Sequence, residues 1–210
     1  MSLPWEINEK NSSIQDSYLI IFNKLKNSLI ELSYKPKVEE LESWTLLLVD
    51  VLNSNTRYYH NSKHILDVTE VLHGISSIAA IYHDVVYLPT DGDLHPKVHK
   101  ILDKYFNMSK EFFEIKKKAR ADKNFQLACH IFGISQAQKF IDQDSNNEFL
   151  SSLIALSEMN TVLSPQQKLV LTCCLESTRP FRGSKKTVQN LISKIQSSEK
   201  SLKIKLSKIE

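Results

Sequence analysis

Only four glycines and six prolines interrupt this chain of 210 residues, and that scarcity constrains its fold more than any other property. Glycine supplies the positive-φ turns, and proline the fixed kinks, on which short-stranded sheets depend. A chain poor in both is expected to be built from long helices. Hydrophobic spacing agrees: Ile14, Tyr18, Ile21, Leu25 and Leu29 recur at helical intervals, as do Val38, Leu41, Trp44, Leu47 and Leu48 after Pro36. Further helices are expected in "ISSIAAIYHDVVYL", "FQLACHIFGI", "NNEFLSSLIAL" and "SPQQKLVLTCCLESTRPF". Two more are expected in a lysine-rich stretch with Ile101, Leu102, Tyr105 and Phe106 at helical spacing, and in a basic C-terminal segment carrying Val188, Leu191, Ile192 and Ile195. The expected architecture is one all-α domain over residues 1–210, with a helical scaffold in 1–50 and a basic helix in 185–210. Its 41% apolar residues suffice for a sizeable core.

The same composition narrows the function classes. No apolar run approaches the ~18 to 20 residues needed to cross a bilayer, and the opening "MSLPWEINEK" has neither a basic nor an apolar leader region. A cytoplasmic protein without a membrane partner is therefore expected. Cys129, Cys173 and Cys174 are odd in number and show no zinc or redox spacing, which suits buried thiols. The net charge of +3 is concentrated late, with seven lysines against two glutamates from Lys185 to Glu210 and a second lysine run in "EIKKKARADK". No aromatic residues interleave with these lysines, so they read as solvated helix faces and nucleic acid is not an expected partner.

Chemistry is concentrated in "RYYHNSKHILDV", residues 57–68, which reads as a loop running into a helix. His60 and His64 lie four residues apart, a spacing that lets two imidazoles on one helix face converge on a single ion or substrate. The doublet His83–Asp84 follows the apolar run "IAAIY", where a carboxylate is expensive to bury uncompensated. A divalent cation held by His64, His83 and Asp84 would supply the compensation, leaving His60 nearby to handle a proton. In "ESTRPFRG", Arg179 and Arg182 follow an apolar helix. They could present guanidinium forks to a substrate phosphate or cap a helix C-terminus, and both readings stay open. His73, His95, His99 and His130 have no acidic neighbour at ligand spacing or sit in polar or apolar surroundings that make them structural.

At these residues the sequence resembles the HD superfamily of metal-dependent phosphohydrolases, whose pattern is a histidine, a later His-Asp doublet and a distant aspartate. "YHNSKHILDV" is also similar to the YHNxxHxxDV signature of the cyclic nucleotide phosphodiesterases within that superfamily, falling on Tyr59, His60, Asn61, His64, Asp67 and Val68. "NEFLSS" is similar to an NExxSA segment of uncharacterised bacterial HD hydrolases. The resemblance covers roughly residues 57–182. It implies an HD-type helical bundle, a divalent metal (Mn, Fe, Co, Ni, Zn or Mg) on His64, His83 and Asp84, and His60 as proton donor to the leaving oxygen. It further implies a catalytic role for Glu148 and substrate contacts for Asn61 and Asn147; Arg179 and Arg182 stand beside them as substrate candidates on the reading of the residues alone, with helix capping still open. The substrate would be a small phosphomonoester or phosphodiester, with nucleotides among the candidates.

The chain also departs from that pattern. Tyr87 stands where the phosphodiesterases carry a further histidine for a second metal, and the next histidine is His95. The superfamily's last ligand is an aspartate on a late helix, whereas the last aspartate here is Asp144. Three readings stay open: the ligand lies beyond Glu210, Glu148 or Glu176 substitutes for it, or the site is catalytically silent and binds a nucleotide or a protein.

Overall fold

The computed structural model describes residues 4–91, 93–109, 112–135, 137–142, 146–179 and 185–201. The chain is all-α. The first helix, α1 (Pro4–Glu31), buries Ile21, Leu25 and Leu29 completely, with Ile14 and Tyr18 packed at the edge of the core. It is followed by α2 (Val38–Leu52), where the Lys37 N–H donates to Glu40 Oε2 at 3.0 Å and so satisfies one of the helix-start donors. Leu41, Trp44, Leu47 and Leu48 turn inward as their spacing requires, while Val38, in the first turn, is exposed.

Two short helices form the corner that carries the histidines, α3 (Ser62–Thr69) and α4 (Gly74–Tyr82), which pack on each other and on α1. The first helix ties down both. Lys24 Nζ donates to the carbonyls of Thr69 and Glu70 at the end of α3, and Glu31 Oε2 accepts from the Gly74 N–H at 2.7 Å at the start of α4. Gly74 has φ +50, so a side chain there would be strained. The chain continues through α5 (Leu88–Asp91) and α6 (Pro96–Leu102), the latter with proline in its first turn and the His95 ring accepting from the Lys97 N–H.

One expectation is corrected here. Tyr105 and Phe106 do not extend the helix of Ile101 and Leu102: α6 stops at Leu102, and Phe106 opens a small antiparallel sheet ordered β1 (Phe106–Met108), β2 (Phe112–Ile115), β3 (Phe140–Asp142). Phe113 and Ile115 are buried while Phe112 is exposed, the period-two alternation of a strand with one face on the core. Phe113 pairs with Met108 and with Ile141, a partner far along the chain. A 3₁₀ turn (Lys117–Ala121) leads to α7 (Lys123–Phe132), followed by α8 (Asn147–Glu158), α9 (Pro165–Ser177) and α10 (Lys185–Ser201).

Among these, α8 is the most deeply buried, and α4 packs against both α8 and α9. A continuous apolar cluster runs from Ile21 on α1 to Leu175 on α9, and it includes the thiols of Cys129 and Cys173. Burial pushes both thiols up to about 12, which makes them inert core residues at neutral pH. Among the described residues no helix is long and apolar enough to cross a membrane.

Candidate metal centre

The corner between α3 and α4 is shaped by how each helix begins and ends. Asn61 is the N-cap of α3: its Oδ1 accepts from the His64 N–H at 3.2 Å, and its Nδ2 donates to the Tyr58 carbonyl at 2.8 Å. This cap places His64 in the first turn of the helix and leaves His60 in the bend before it. The two imidazoles therefore do not share a helix face, contrary to their spacing, yet their rings meet edge-on with centroids 5.6 Å apart. At the other side, His83 caps the C-terminus of α4, and Asp84 follows in the turn, 5% exposed.

The three imidazoles converge on one oxygen. His60 Nδ1 lies 2.8 Å from Asp84 Oδ2, His83 Nε2 lies 2.9 Å from it and His64 Nε2 3.6 Å. Ligand atoms of His60, His64 and Asp84 lie within 4.8 Å of one another, the one such group of three or more found among the described residues. His83, expected in that set, stands beside it: its ring centroid is 5.6 Å from that of His64, and its Nδ1 lies 2.7 Å from the Ala80 carbonyl.

Proton accounting makes this arrangement informative. With Nδ1–H donating to Ala80, His83 can donate to Asp84 through Nε2 only as an imidazolium. Burial by itself pushes the His83 pKa down, but the hydrogen bond and charge of Asp84, with the Ala80 carbonyl, outweigh it and hold the value above that of an ordinary histidine. Burial likewise pushes Asp84 up, and is outweighed by hydrogen bonds and charge from His83 and His60, which hold it at about 2. For His64, burial wins and lowers the pKa. The corner is thus a buried carboxylate whose surroundings favour a positive charge beside it, and the His83 ring is placed to carry one.

A divalent cation fits the same donors. Imidazole nitrogens and one carboxylate are a set taken by zinc and other first-row metals. A histidine whose far ring nitrogen is hydrogen-bonded to a backbone carbonyl, as in His83, is the usual way such a ligand is oriented.

The surrounding rings and loops fix the group. Tyr87 stacks on His60 with centroids 4.0 Å apart, at the position where the resembled enzymes carry a histidine. Tyr59 contacts His60 and His64 at 5.0 and 4.8 Å and is largely exposed. Asp67, part of the signature, points to solvent and pairs with Lys63. From α8, Asn147 Oδ1 accepts from the Leu88 N–H at 3.1 Å, and Ser151 Oγ accepts from the Val86 N–H at 3.0 Å. The "NEFLSS" segment thus grips the strip of chain just after the doublet. Asn61 and Asn147, expected at the substrate, both engage their carboxamides in the frame. Glu148 is near enough for its charge to help raise His83, but neither it nor the buried Glu176 joins the ligand group. Arg179 follows the end of α9 with its guanidinium 5.8 Å from the centre of the Phe132 ring. Arg182 and Asp144 lie outside the described residues.

Two residues of the corner have no forewarning in the sequence pattern. Arg57 is completely buried and forms a bidentate pair with Asp91, Nε to Oδ1 at 2.7 Å and Nη2 to Oδ2 at 2.6 Å. The available signal was position alone, an arginine three residues before His60 and an aspartate in a polar loop. No protein-family model, curated protein or solved structure matches this chain.

Proposed function

We propose that this chain is a metal-dependent phosphohydrolase acting on a small phosphomonoester or phosphodiester, with nucleotides among the candidate substrates. The observation that carries the reading is the convergence of His60, His64 and His83 on Asp84. The similarity of residues 59–68 and of the His83–Asp84 doublet to the HD superfamily supports it. His64, His83 and Asp84 would hold the cation, which when bound would supply Lewis acidity and a reactive water at neutral pH. His60 is suited to proton transfer by its placement: Asp84 holds its Nδ1 at 2.8 Å and the Tyr87 ring sets its plane. The remaining ring nitrogen can then deliver a proton to a leaving alkoxide.

The test combines metal content with turnover. Purified protein should take up about one equivalent of a divalent transition metal and hydrolyse nitrophenyl phosphate or a nucleoside phosphate, and His64→Ala and Asp84→Ala should lose both. His60→Ala should keep its metal, recover on nitrophenyl substrates and stay slow on sugar-alkoxide leaving groups, which need a proton. Loss of metal in His60→Ala would make His60 a ligand instead, as its membership of the ligand group allows. A second reading rests on the single carboxylate in that group: a silent module that binds a nucleotide or a protein through the same corner. Metal-loaded wild-type protein that turns over none of these substrates would replace the hydrolase with that module.

A further inference from the structure

We infer that Arg57 and Asp91 form a positioning device for the metal centre, a buried ion pair that sets His60 against Asp84. The inference rests on the reading of that corner as a metal site and goes beyond it by assigning the geometry of the site to residues that are not ligands.

Every N–H of the Arg57 guanidinium has an acceptor. Nε and one Nη2 proton go to the two oxygens of Asp91, the other Nη2 proton to the Val85 carbonyl at 3.3 Å, and the two Nη1 protons to the carbonyls of Asp84 and of His60, the latter at 3.4 Å. Five donors and five acceptors in a side chain with no exposure leave the group one orientation. Two of those carbonyls belong to His60 and Asp84, whose side chains meet at 2.8 Å. The guanidinium therefore bridges from behind the same two residues that touch in front.

Asp91 adds a second route to His60. Its Oδ2 also accepts from the Tyr87 N–H at 2.8 Å, and the Tyr87 ring is the one stacked on His60. One pair thus sets both the backbone that carries His60 and the ring that fixes its plane. Stability alone gives no reason for such a pair, because a buried ion pair replaced by apolar groups of similar volume is often no less stable. Lysine could not replace the arginine, since a single ammonium cannot span a carboxylate and three carbonyls in one plane.

This gives a test that separates positioning from folding. The double variant Arg57→Met, Asp91→Leu removes both charges together. It should unfold at a temperature within a few degrees of wild type, yet bind cobalt(II) about 10- to 100-fold more weakly, the usual effect of losing a partner behind the ligands. In metal-free protein, the downfield imidazole N–H resonance of the His60–Asp84 hydrogen bond, assigned by its loss in His60→Gln, should shift or vanish in the double variant. A folded double variant with that resonance and the cobalt(II) affinity unchanged would overturn the inference. Should the double variant fail to fold, Arg57→Lys is read in the same two ways, with the same outcomes deciding. Wild-type protein that binds no cobalt(II) would remove the metal centre, and the His60 resonance, which needs no metal, would still decide whether the pair positions His60.

Discussion

Two clusters of rings in this protein have similar spacing and opposite energetics. In the core, Tyr105, Phe106, Phe113, Phe125, Phe132 and Phe149 stack or meet edge-on with centroids 5.5 to 6.2 Å apart. At the corner, His60, His64, His83 and Tyr87 sit 4.0 to 5.6 Å apart. The phenyl rings attract one another directly and gain from leaving water. The imidazoles have no such reason to crowd together; Asp84 at their centre is their shared partner, and the surrounding caps, carbonyls and Tyr87 ring hold them there. One cluster is an end in itself, and the other is a group of donors around one buried carboxylate that could hold a metal ion.

The sharpest way to break the comparison is to remove a ring from the apolar side. Phe125→Ala or Phe149→Ala should lower unfolding stability by about 3–5 kcal/mol in urea titration, the typical effect of a large core deletion. Metal bound per folded molecule should not change. The reciprocal change is Asp84→Asn, which should weaken cobalt(II) binding at least about 100-fold, near 2.7 kcal/mol, as read by titration of the metal's absorbance. An apolar deletion that emptied the metal site, or an Asp84 change that left it intact, would dissolve the distinction between the clusters.

Acidity separates the clusters next. The Asp84 carboxyl is held at about 2 in the folded protein, below its ordinary value. It should contribute about 2 kcal/mol to metal-free stability above pH ~4, lost as pH falls from about 4 towards 2. The His83 value is raised, so its contribution is complete below the ordinary histidine value of about 6.5 and disappears as pH rises through the folded value. Both limbs report the same ion pair, which counts once. Thermal unfolding against pH should show a maximum between those limits in metal-free wild type and flatten in Asp84→Asn. The smallest effect is expected at Lys63, whose pair with Asp67 is open to solvent. Lys63→Ala should move stability by no more than about 0.5 kcal/mol and leave metal affinity alone, although it lies inside the signature segment.

How much of this could be read from the chain follows from how local each feature is. The helices of Ile21, Leu25 and Leu29, of Trp44 and Leu48, and of Phe149 and Leu153 are legible because helical period is a property of neighbours. The sheet was not, because Phe106 keeps helical spacing with Leu102, while strand status for Phe113 depends on pairing with Ile141, far along the chain. His64, His83 and Asp84 announced themselves by residue type. The spacing of His60 and His64 suggests one helix face, but the Asn61 cap starts the helix after His60 and leaves that ring in the bend. Arg57 and Asp91 were illegible because a buried guanidinium and a solvated one are the same letter, and only the fold brings the two within 2.6 Å.

The ties from α1 carry a consequence for how the centre comes into being. Lys24 reaches the end of α3 and Glu31 the start of α4, across 45 and 43 positions of chain. At eight and nine residues, α3 and α4 are too short to persist in water by themselves. The corner that gathers the histidines therefore draws part of its support from the docked N-terminal helix, beside the packing of α4 on α8 and α9, and is expected to open before the middle of α8. Amide exchange at His64 and Ala80 should then run ahead of exchange at Leu153, deep in α8, and removing residues up to Lys24 should disable the centre without touching a single ligand.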